Sequence, residues 1–150
     1  MGNDILSENI NNLEKKLIDV RHNFHMHPEL SNEEFETTKT IRKLLNEAQI
    51  CILDLPLTTG LVAEITGNKE GPIIAIRGDI DALPISEETD LDYKSQILGK
   101  MHACGHDFHA SVILGVAYLL KHQESKLSGT VRIIFQAAEE TGRSEEHTSE

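Results

Sequence analysis

The sequence is poor in the features that mark secreted, membrane-spanning or disulfide-stabilised proteins. It has no tryptophan and only two cysteines, Cys51 and Cys104, whose contexts differ too much for a disulfide framework. No stretch approaches the roughly 18 consecutive apolar residues of a transmembrane helix. The N-terminal residues lack the basic and apolar regions of a secretory signal and the spacing of a myristoylation site. These absences predict a protein of the reducing cytoplasm.

Positive charge is also scarce. The 14 lysines and arginines face 25 aspartates and glutamates, which gives a formal net charge of −11 at pH 7. A balance this acidic argues against nucleic acid or an anionic membrane as a partner. A length of 150 residues with 39% hydrophobic content is enough for one globular domain with a real core.

The stretch GKMHACGHDFH, residues 99–109, concentrates reactive side chains. It holds three histidines, a cysteine and an aspartate, and Gly105 separates Cys104 from His106. A bent loop can therefore aim a thiolate and an imidazole at one point, and this ligand pair suits zinc and other borderline-soft divalent metals. The alternative is a helix N-terminus with a buried thiol and surface histidines. Spacing alone does not decide between the two interpretations.

Apolar periodicity predicts two helices, then three strands, and then a helix followed by a strand. Residues 4–24 repeat apolar positions at helical spacing, and the stretch 109–122 is broadly apolar. The sequence SNEE, residues 31–34, has the form of a capping box in which Ser31 and Glu34 would begin a second helix with Phe35 on its buried face. Short apolar runs predict strands at 50–53, 61–65, 73–77 and 131–136, with residues 67–72 closing a hairpin. Cys51 falls within a strand and is interpreted as an inert core thiol.

Pairs of carboxylates follow two of the predicted strands. Residues 73–77 read as a central strand covered on both faces, and Asp79 and Asp81 come just after it. Ligands of α/β proteins bind at the carboxyl ends of strands, although a turn with solvated carboxylates is the alternative. Glu139 and Glu140 follow the last strand, where one carboxylate can bind a metal while its neighbour acts as general base. A solvated loop would also carry such a pair.

Two further segments carry polar side chains without a predicted chemical role. The sequence places His22, His25 and His27 at a helix end, where cationic side chains suit the helix dipole and the last carbonyls better than a metal. Residues 85–98 are polar and acidic and predict a loop over one edge of the molecule.

Four segments, in this order, resemble the signature blocks of M20-type metal-dependent amidohydrolases: RHNFHMHPELS at 21–31, RGDIDALP at 77–84, MHACGHDFH at 101–109 and GTVRIIFQAAEE at 129–140. The most similar group comprises N-acyl-amino-acid amidohydrolases, hippurate hydrolases and auxin-conjugate hydrolases. The resemblance implies an α/β fold, a mixed sheet flanked by helices as in the zinc-exopeptidase-like catalytic domain. It also implies an inserted lid domain through which the full-length enzyme forms a homodimer.

The same resemblance assigns roles to individual residues. It implies that Cys104, His106 and Glu140 bind metal, that Glu139 is the general base, and that Asp81 orients the site. The cofactor would be one or two divalent ions, manganese, zinc, cobalt or nickel, and the substrate a small N-acyl amino acid cleaved to a carboxylate and a free amino acid. The histidines of the first block are not ligands in the family.

The chain also departs from the family pattern. Ala137 stands where the family usually has proline, and the two histidine ligands that the family places further downstream are absent. Residues 1–142 are therefore expected to be the N-terminal part of the catalytic domain, inactive alone, with an open sheet edge that promotes aggregation. Residues 143–150 are the in-frame translation of AGATCGGAAGAGCACACGTCTGAA, which resembles the start of a common sequencing adapter, and are interpreted as a foreign tail.

Two other functions remain open at this stage. Cys104 could act as a nucleophile with His106 or His109 as its base, which would make the protein a thiol hydrolase. That mechanism needs a third group to orient the base, and it leaves Glu139 and Glu140 without a role. The non-enzymatic alternative is a metal-binding or structural domain.

Overall fold

The computed structural model describes residues 2–145, with the side chains of residues 12–142; residues 146–150 of the predicted foreign tail lie outside the described residues. Two helices come first, then three strands, and then a helix, a strand and a short helix: α1 (Gly2–Met26), α2 (Phe35–Glu47), β1 (Cys51–Ile52), β2 (Leu61–Thr66), β3 (Lys69–Asp79), α3 (His106–His122), β4 (Ser128–Gln136) and α4 (Glu139–Glu145). The predicted α/β class, a mixed sheet flanked by helices, is confirmed. None of the described helices is both long and apolar enough to cross a membrane.

The four strands form one mixed sheet in the order β1-β2-β4-β3. β2 pairs with β4 in antiparallel orientation, and β3 pairs with β4 in parallel orientation. The hairpin predicted at residues 67–72 is therefore wrong, because β4 lies between the two strands that it would have joined. Gly129 permits this close packing: its φ is +81°, and a Cβ added there would lie 2.1 Å from the carbonyl oxygen of Pro72.

β3 lies at one edge of the sheet that the described residues form, although its apolar sequence predicts a central strand. Ile73 and Ile74 are 60% and 55% exposed. Only the end of the strand is covered, where Gly78 packs against Ile113 of α3. An apolar run reports that a strand favours burial, but it does not specify which neighbour covers it.

The core joins the sheet to α3 and α2. α3 contributes Ala110, Leu114 and Ala117, and the sheet contributes Ala63 and Phe135; all five are buried. α1 lies along α3, where the side chain of Leu17 fills the space beside Gly115. Because α3 begins at His106, the packing of this helix fixes the position of the reactive loop before it.

Two predictions about buried side chains are wrong. Cys51 is exposed rather than a core thiol, because β1 has two residues and pairs only with β2. Phe35 is also exposed, because it lies on the side of α2 away from the core, whose covered face begins in the same turn at the buried Thr37. Ile41 and Leu45, one and two turns further along, are fully buried as predicted.

The core role of α3 is testable by truncating one leucine. Leu114 is fully buried, so Leu114→Ala is expected to lower the free energy of unfolding by about 2–5 kcal/mol, the usual cost of lost burial plus a cavity. The measurement is urea unfolding followed by circular dichroism. Leu119→Ala on the same helix is the control, because Leu119 is 48% exposed and its truncation should cost much less. Equal losses in the two variants would contradict this packing.

Candidate metal centre

Three chain segments meet where the parallel strands β3 and β4 end. The residues after β3, the loop before α3 and the start of α4 place ligand atoms of Cys104, His106 and Glu140 within 4.8 Å of one another. The family resemblance implies metal binding by these three residues, and the fold brings them together. Ile80 N–H donates to the carbonyl of Gln136 at 2.9 Å, which keeps the two strand ends in register beside the site.

The loop before α3 bends at Gly105. This glycine has φ +79° and caps the helix, and its N–H donates to the carbonyl of His102 at 3.3 Å. Most side-chain-bearing residues avoid this left-handed conformation, which reverses the chain between Cys104 and His106. The two side chains consequently point to the same place, as their spacing predicts.

Asp81 fixes the orientation of the His106 ring. Nδ1 of His106 lies 2.9 Å from the backbone carbonyl of Asp81 and 3.0 Å from its carboxylate Oδ1. A carbonyl oxygen can only accept, so Nδ1 carries the proton and donates to both. Nε2 is then the nitrogen available for a ligand, and it lies 3.7 Å from Glu140 Oε1 and 3.9 Å from Glu139 Oε2. A carboxylate that orients a ligating histidine in this way also raises its basicity.

Hydrogen bonds keep Asp81 ionised in a buried position. Burial alone would raise the pKa of Asp81, but bonds from His106, from the Glu140 N–H at 3.0 Å and from the Ser31 hydroxyl at 2.7 Å lower it to about 2. The pKa of His106 moves the other way: its burial lowers the pKa, and the Asp81 carboxylate more than reverses this effect. The two groups therefore form a buried charge-assisted pair.

The predicted capping box at residues 31–34 does not form. The N-terminal amides of α2, those of Glu36 and Thr37, donate instead to the carboxylate of Glu29 at 3.1 and 2.8 Å. Ser31 donates to Asp81, and Glu34 Oε1 accepts from the N–H of Ala138 at 2.8 Å. Ser31 and Glu34 are residues of the types that a capping box requires, but both side chains bond to distant segments at the site instead. Their role there was not predicted from the sequence.

The donor set fits a divalent cation. It combines a thiol sulfur, an imidazole nitrogen and a carboxylate oxygen, which are the ligand atoms of zinc and related transition metals. Glu140 Oε1 is buried and has no hydrogen-bond partner among the described residues. A buried carboxylate oxygen without a partner is costly, and a cation at this point would satisfy it.

A second group of possible ligands flanks the first. Asp79, His106 and His109 also offer atoms within 4.8 Å of one another, and His109 Nδ1 lies 3.5 Å from Asp79 Oδ2. Both groups need Nε2 of His106, because its Nδ1 is already bonded to Asp81. One nitrogen lone pair binds one ion, so the two groups cannot use His106 for two ions at once. When a cation is held by Cys104, His106 and Glu140, Asp79 and His109 lie beside it without His106 as a shared ligand.

A buried network of charges supports the loop from behind. His25 Nδ1 lies 2.9 Å from Asp107 Oδ2 and its Nε2 lies 3.1 Å from Glu87 Oε1, while Arg21 Nε donates to Asp107 at 3.1 Å. His25 does lie in the last turn of α1, as predicted, but its ring is buried between two carboxylates instead of facing the last carbonyls of the helix. Residues 85–98 form an irregular loop as predicted, but the side chain of Glu87 is buried. Burial would raise the pKa of Glu87, but bonds from Ser95, Thr89 and His25 lower it.

Comparison with known proteins assigns this site to a family. Residues 75–149 match the family described as Peptidase family M20/M25/M40, and this match includes the reactive loop and the glutamate pair. The chain belongs to this peptidase family. The resemblance drawn from the four sequence blocks is thereby confirmed.

Members of the M20 family with known names are similar over most of the chain. An N-acetyl-L-cysteine deacetylase from Bacillus subtilis is 53% identical over 148 residues, covering 94% of this chain and 36% of the relative. An IAA-amino acid hydrolase from Arabidopsis thaliana, ILR1-like 5, is 42% identical over 126 residues, covering 84% of this chain and 29% of the relative. The chain thus spans about a third of the length of the curated relatives that it matches.

The solved structures show the same fold. The crystal structure of the Bacillus subtilis YXEP protein, a dinuclear metal binding peptidase from the M20 family, superposes with a TM-score of 0.85 at 56% identity. The matched region covers 87% of this chain and 36% of that chain. A putative aminohydrolase from methicillin-resistant Staphylococcus aureus gives a TM-score of 0.83 at 40% identity, over 92% of this chain and 37% of that one.

His102 gives this M20 site a testable pH dependence. Its ring is 4% exposed, and neither nitrogen has a hydrogen-bond partner among the residues described. Burial lowers the pKa of His102 from 6.5 to about 4, although the nearby Asp107 carboxylate opposes this shift. The unfolded chain therefore binds a proton between these two pH values while the folded chain does not, and stability falls as the pH falls through this window.

We expect His102 to account for up to about 3 kcal/mol of the stability that is lost between pH 6.5 and pH 4. Urea unfolding of the metal-free chain at successive pH values measures it. His102→Gln should flatten the dependence in this window, whereas the control His27→Gln should not, because His27 is exposed. Parallel curves for the native chain and His102→Gln would contradict the assignment.

Proposed function

We propose that the protein containing this chain hydrolyses the amide bond of small N-acyl amino acids at a divalent-metal centre held by Cys104, His106 and Glu140. The observation that carries this proposal is the convergence of ligand atoms from these three residues within 4.8 Å. Among the described residues, Oε1 of Glu140 is buried and has no hydrogen-bond partner. Relatives named as an N-acetyl-L-cysteine deacetylase and an IAA-amino acid hydrolase support the class of substrate.

Glu139 and Glu140 divide the work because they are the first two residues of α4. Successive helical residues lie about 100° apart around the axis, so the two carboxylates reach Nε2 of His106 from different sides, at 3.9 Å for Glu139 and 3.7 Å for Glu140. When bound, the cation supplies a Lewis acid that polarises the amide carbonyl and makes a nearby water more acidic. Glu140 contributes a ligand, and Glu139 is left to face the reacting groups.

Proton transfer by Glu139 completes the reaction. Its carboxylate takes a proton from the attacking water and donates it to the nitrogen of the leaving amino acid as the C–N bond breaks. The products are a carboxylate and a free amine, so no further reactant is needed. Asp81 keeps the His106 ring in place throughout, through the bonds from Nδ1 to its carboxylate and carbonyl.

The finer parts of the proposal follow the family resemblance. The cofactor is one or two ions of manganese, zinc, cobalt or nickel. The relative described as a dinuclear metal binding peptidase supports the second ion. Residues 1–142 belong to the catalytic domain. The whole protein is cytoplasmic and forms a homodimer through a lid domain.

Metal binding by the chain itself is the first test. Cys104→Ala and His106→Ala each remove a ligand, so each is expected to weaken Co²⁺ binding at least about tenfold. Loss of a residue that only supports a ligand already weakens metal binding by about 10–100-fold, so loss of the ligand itself should cost at least the lower value. Isothermal titration calorimetry gives the affinities, and the thiolate-to-cobalt absorption band identifies sulfur ligation. Cys51→Ala is the matched control, since Cys51 is the only other cysteine and is also exposed. Unchanged binding in Cys104→Ala and His106→Ala would refute the site.

A thiol hydrolase is the second candidate, and one observation favours it. Asp81 orients His106 next to Cys104, which supplies the third group that a cysteine nucleophile needs. This alternative leaves the glutamate pair without a function, whereas the metal mechanism uses both residues.

Activity of the full-length protein separates the two mechanisms. In the metal mechanism a chelator abolishes hydrolysis of N-acetyl amino acids, Mn²⁺ or Zn²⁺ restores it, and Glu139→Gln lowers kcat by about 10²–10⁴ without loss of bound metal. In the thiol mechanism an alkylating reagent abolishes activity in metal-free buffer and Glu139→Gln has little effect. The matched control is Glu88→Gln, a change in an exposed glutamate on the irregular loop.

A further inference from the structure

We infer that Glu34 is a positioning residue that holds the Glu139–Glu140 pair at the metal centre through the backbone of Ala138. This inference rests on the proposed metal site and adds to it a residue 104 positions before Ala138 in the sequence. The hydrogen bond of Glu34 goes to the backbone of Ala138, next to the glutamate pair, so its action on the site is indirect.

The burial of Glu34 requires an explanation. Its side chain is 0% exposed, although it stands at the N-cap of α2 and makes no capping bond. Oε1 accepts a hydrogen bond from the N–H of Ala138, 104 positions further along the chain, and Oε2 is buried without a partner among the described residues. A carboxylate is costly to bury, and a capping carboxylate could remain at the surface. The burial of Glu34 therefore requires a role other than capping.

Ala138 is strained in a way that this bond can stabilise. Its φ is +54°, a left-handed conformation that residues with a Cβ rarely adopt. The carbonyl of Ala138 accepts from the Gly142 N–H at 3.2 Å and from the Thr141 hydroxyl at 3.1 Å. The Glu34 carboxylate therefore holds the N–H while the first turn of α4 holds the carbonyl.

The reversed backbone at Ala138 decides where the glutamate pair points. It turns the chain sharply between β4 and α4, so that both carboxylates approach Nε2 of His106. A second bond fixes the same turn, because the Glu140 N–H donates to Asp81 at 3.0 Å. Ser31, three residues before Glu34, donates to the same Asp81 oxygen. One short segment therefore braces both halves of the site.

Loss of the Glu34 bond has a specific expected consequence. Without it, Ala138 can relax to negative φ, and Glu139 and Glu140 move away together. Cys104 and His106 stay, because Gly105 and Asp81 hold them independently. A Glu34 variant should therefore behave like a variant that lacks the Glu140 ligand, with sulfur ligation intact.

Three substitutions in this chain test the inference by Co²⁺ titration. Glu34→Ala removes the acceptor and Glu34→Asp keeps the charge but is too short to reach Ala138, so both should weaken binding about 10–100-fold. Glu34→Gln keeps the length and an acceptor oxygen and should stay within a few-fold of the native affinity. In all three the thiolate-to-cobalt band should remain, while the ligand-field bands shift only in Glu34→Ala and Glu34→Asp. Equal affinities for Glu34→Asp and Glu34→Gln would overturn the inference. This comparison does not need Glu34→Ala, so it still applies if that variant does not fold.

A control and a double variant separate positioning from general stability. Glu29→Ala removes the carboxylate that caps the same helix, so it should lower the unfolding temperature without changing the affinity. Glu34→Ala combined with Glu140→Ala should bind no more weakly than Glu140→Ala alone. Additive losses would overturn the inference. If Cys104→Ala and His106→Ala leave binding unchanged, the proposed function fails; if they weaken it and Glu34→Ala does not, only this inference fails.

Discussion

The hydrogen-bonded pair of Asp81 and His106 is the interaction on which the rest of the site depends. It joins Asp81, two residues beyond the end of β3, to the first residue of α3, and it decides which imidazole nitrogen is available. The other Asp81 oxygen accepts from Ser31 and from the backbone of Glu140, so all three segments of the site meet at one carboxylate. A buried carboxylate is stable only with such partners, and these partners fix the geometry of the site.

Acidic side chains surround this pair, which suits a site for a cation. Asp79, Glu139 and Glu140 all lie within 4.0 Å of Nε2 of His106, and their mutual repulsion would oppose folding in the absence of a positive charge. Arg77 lies 3.1 Å from Asp79 and offsets part of this repulsion, and a bound divalent ion would offset the rest. A divalent ion therefore links folding of the site to its chemistry.

The segment from Ser31 to Glu34 shows how local and tertiary signals compete. Its sequence has the form of a capping box, and a helix does begin at Phe35. Yet the two side chains of the pattern bond to Asp81 and Ala138, and Glu29 replaces them as the cap. The contacts of Ser31 and Glu34 to distant segments thus replace the local capping bonds that their spacing predicts.

The local features of the site could be predicted from sequence order. They are the spacing of Cys104 and His106 around a glycine, the glutamate pair after a strand, and the periodicity of α1 and α3, and each reflects interactions within a few residues. Three other features became visible only in the folded chain: β4 lies between β2 and β3, His25 is buried between two carboxylates, and Glu34 reaches Ala138. These contacts join residues from 57 positions apart (Asp79 and Gln136) to 104 positions apart (Glu34 and Ala138), and their free energy depends on which strands pair and which faces are covered.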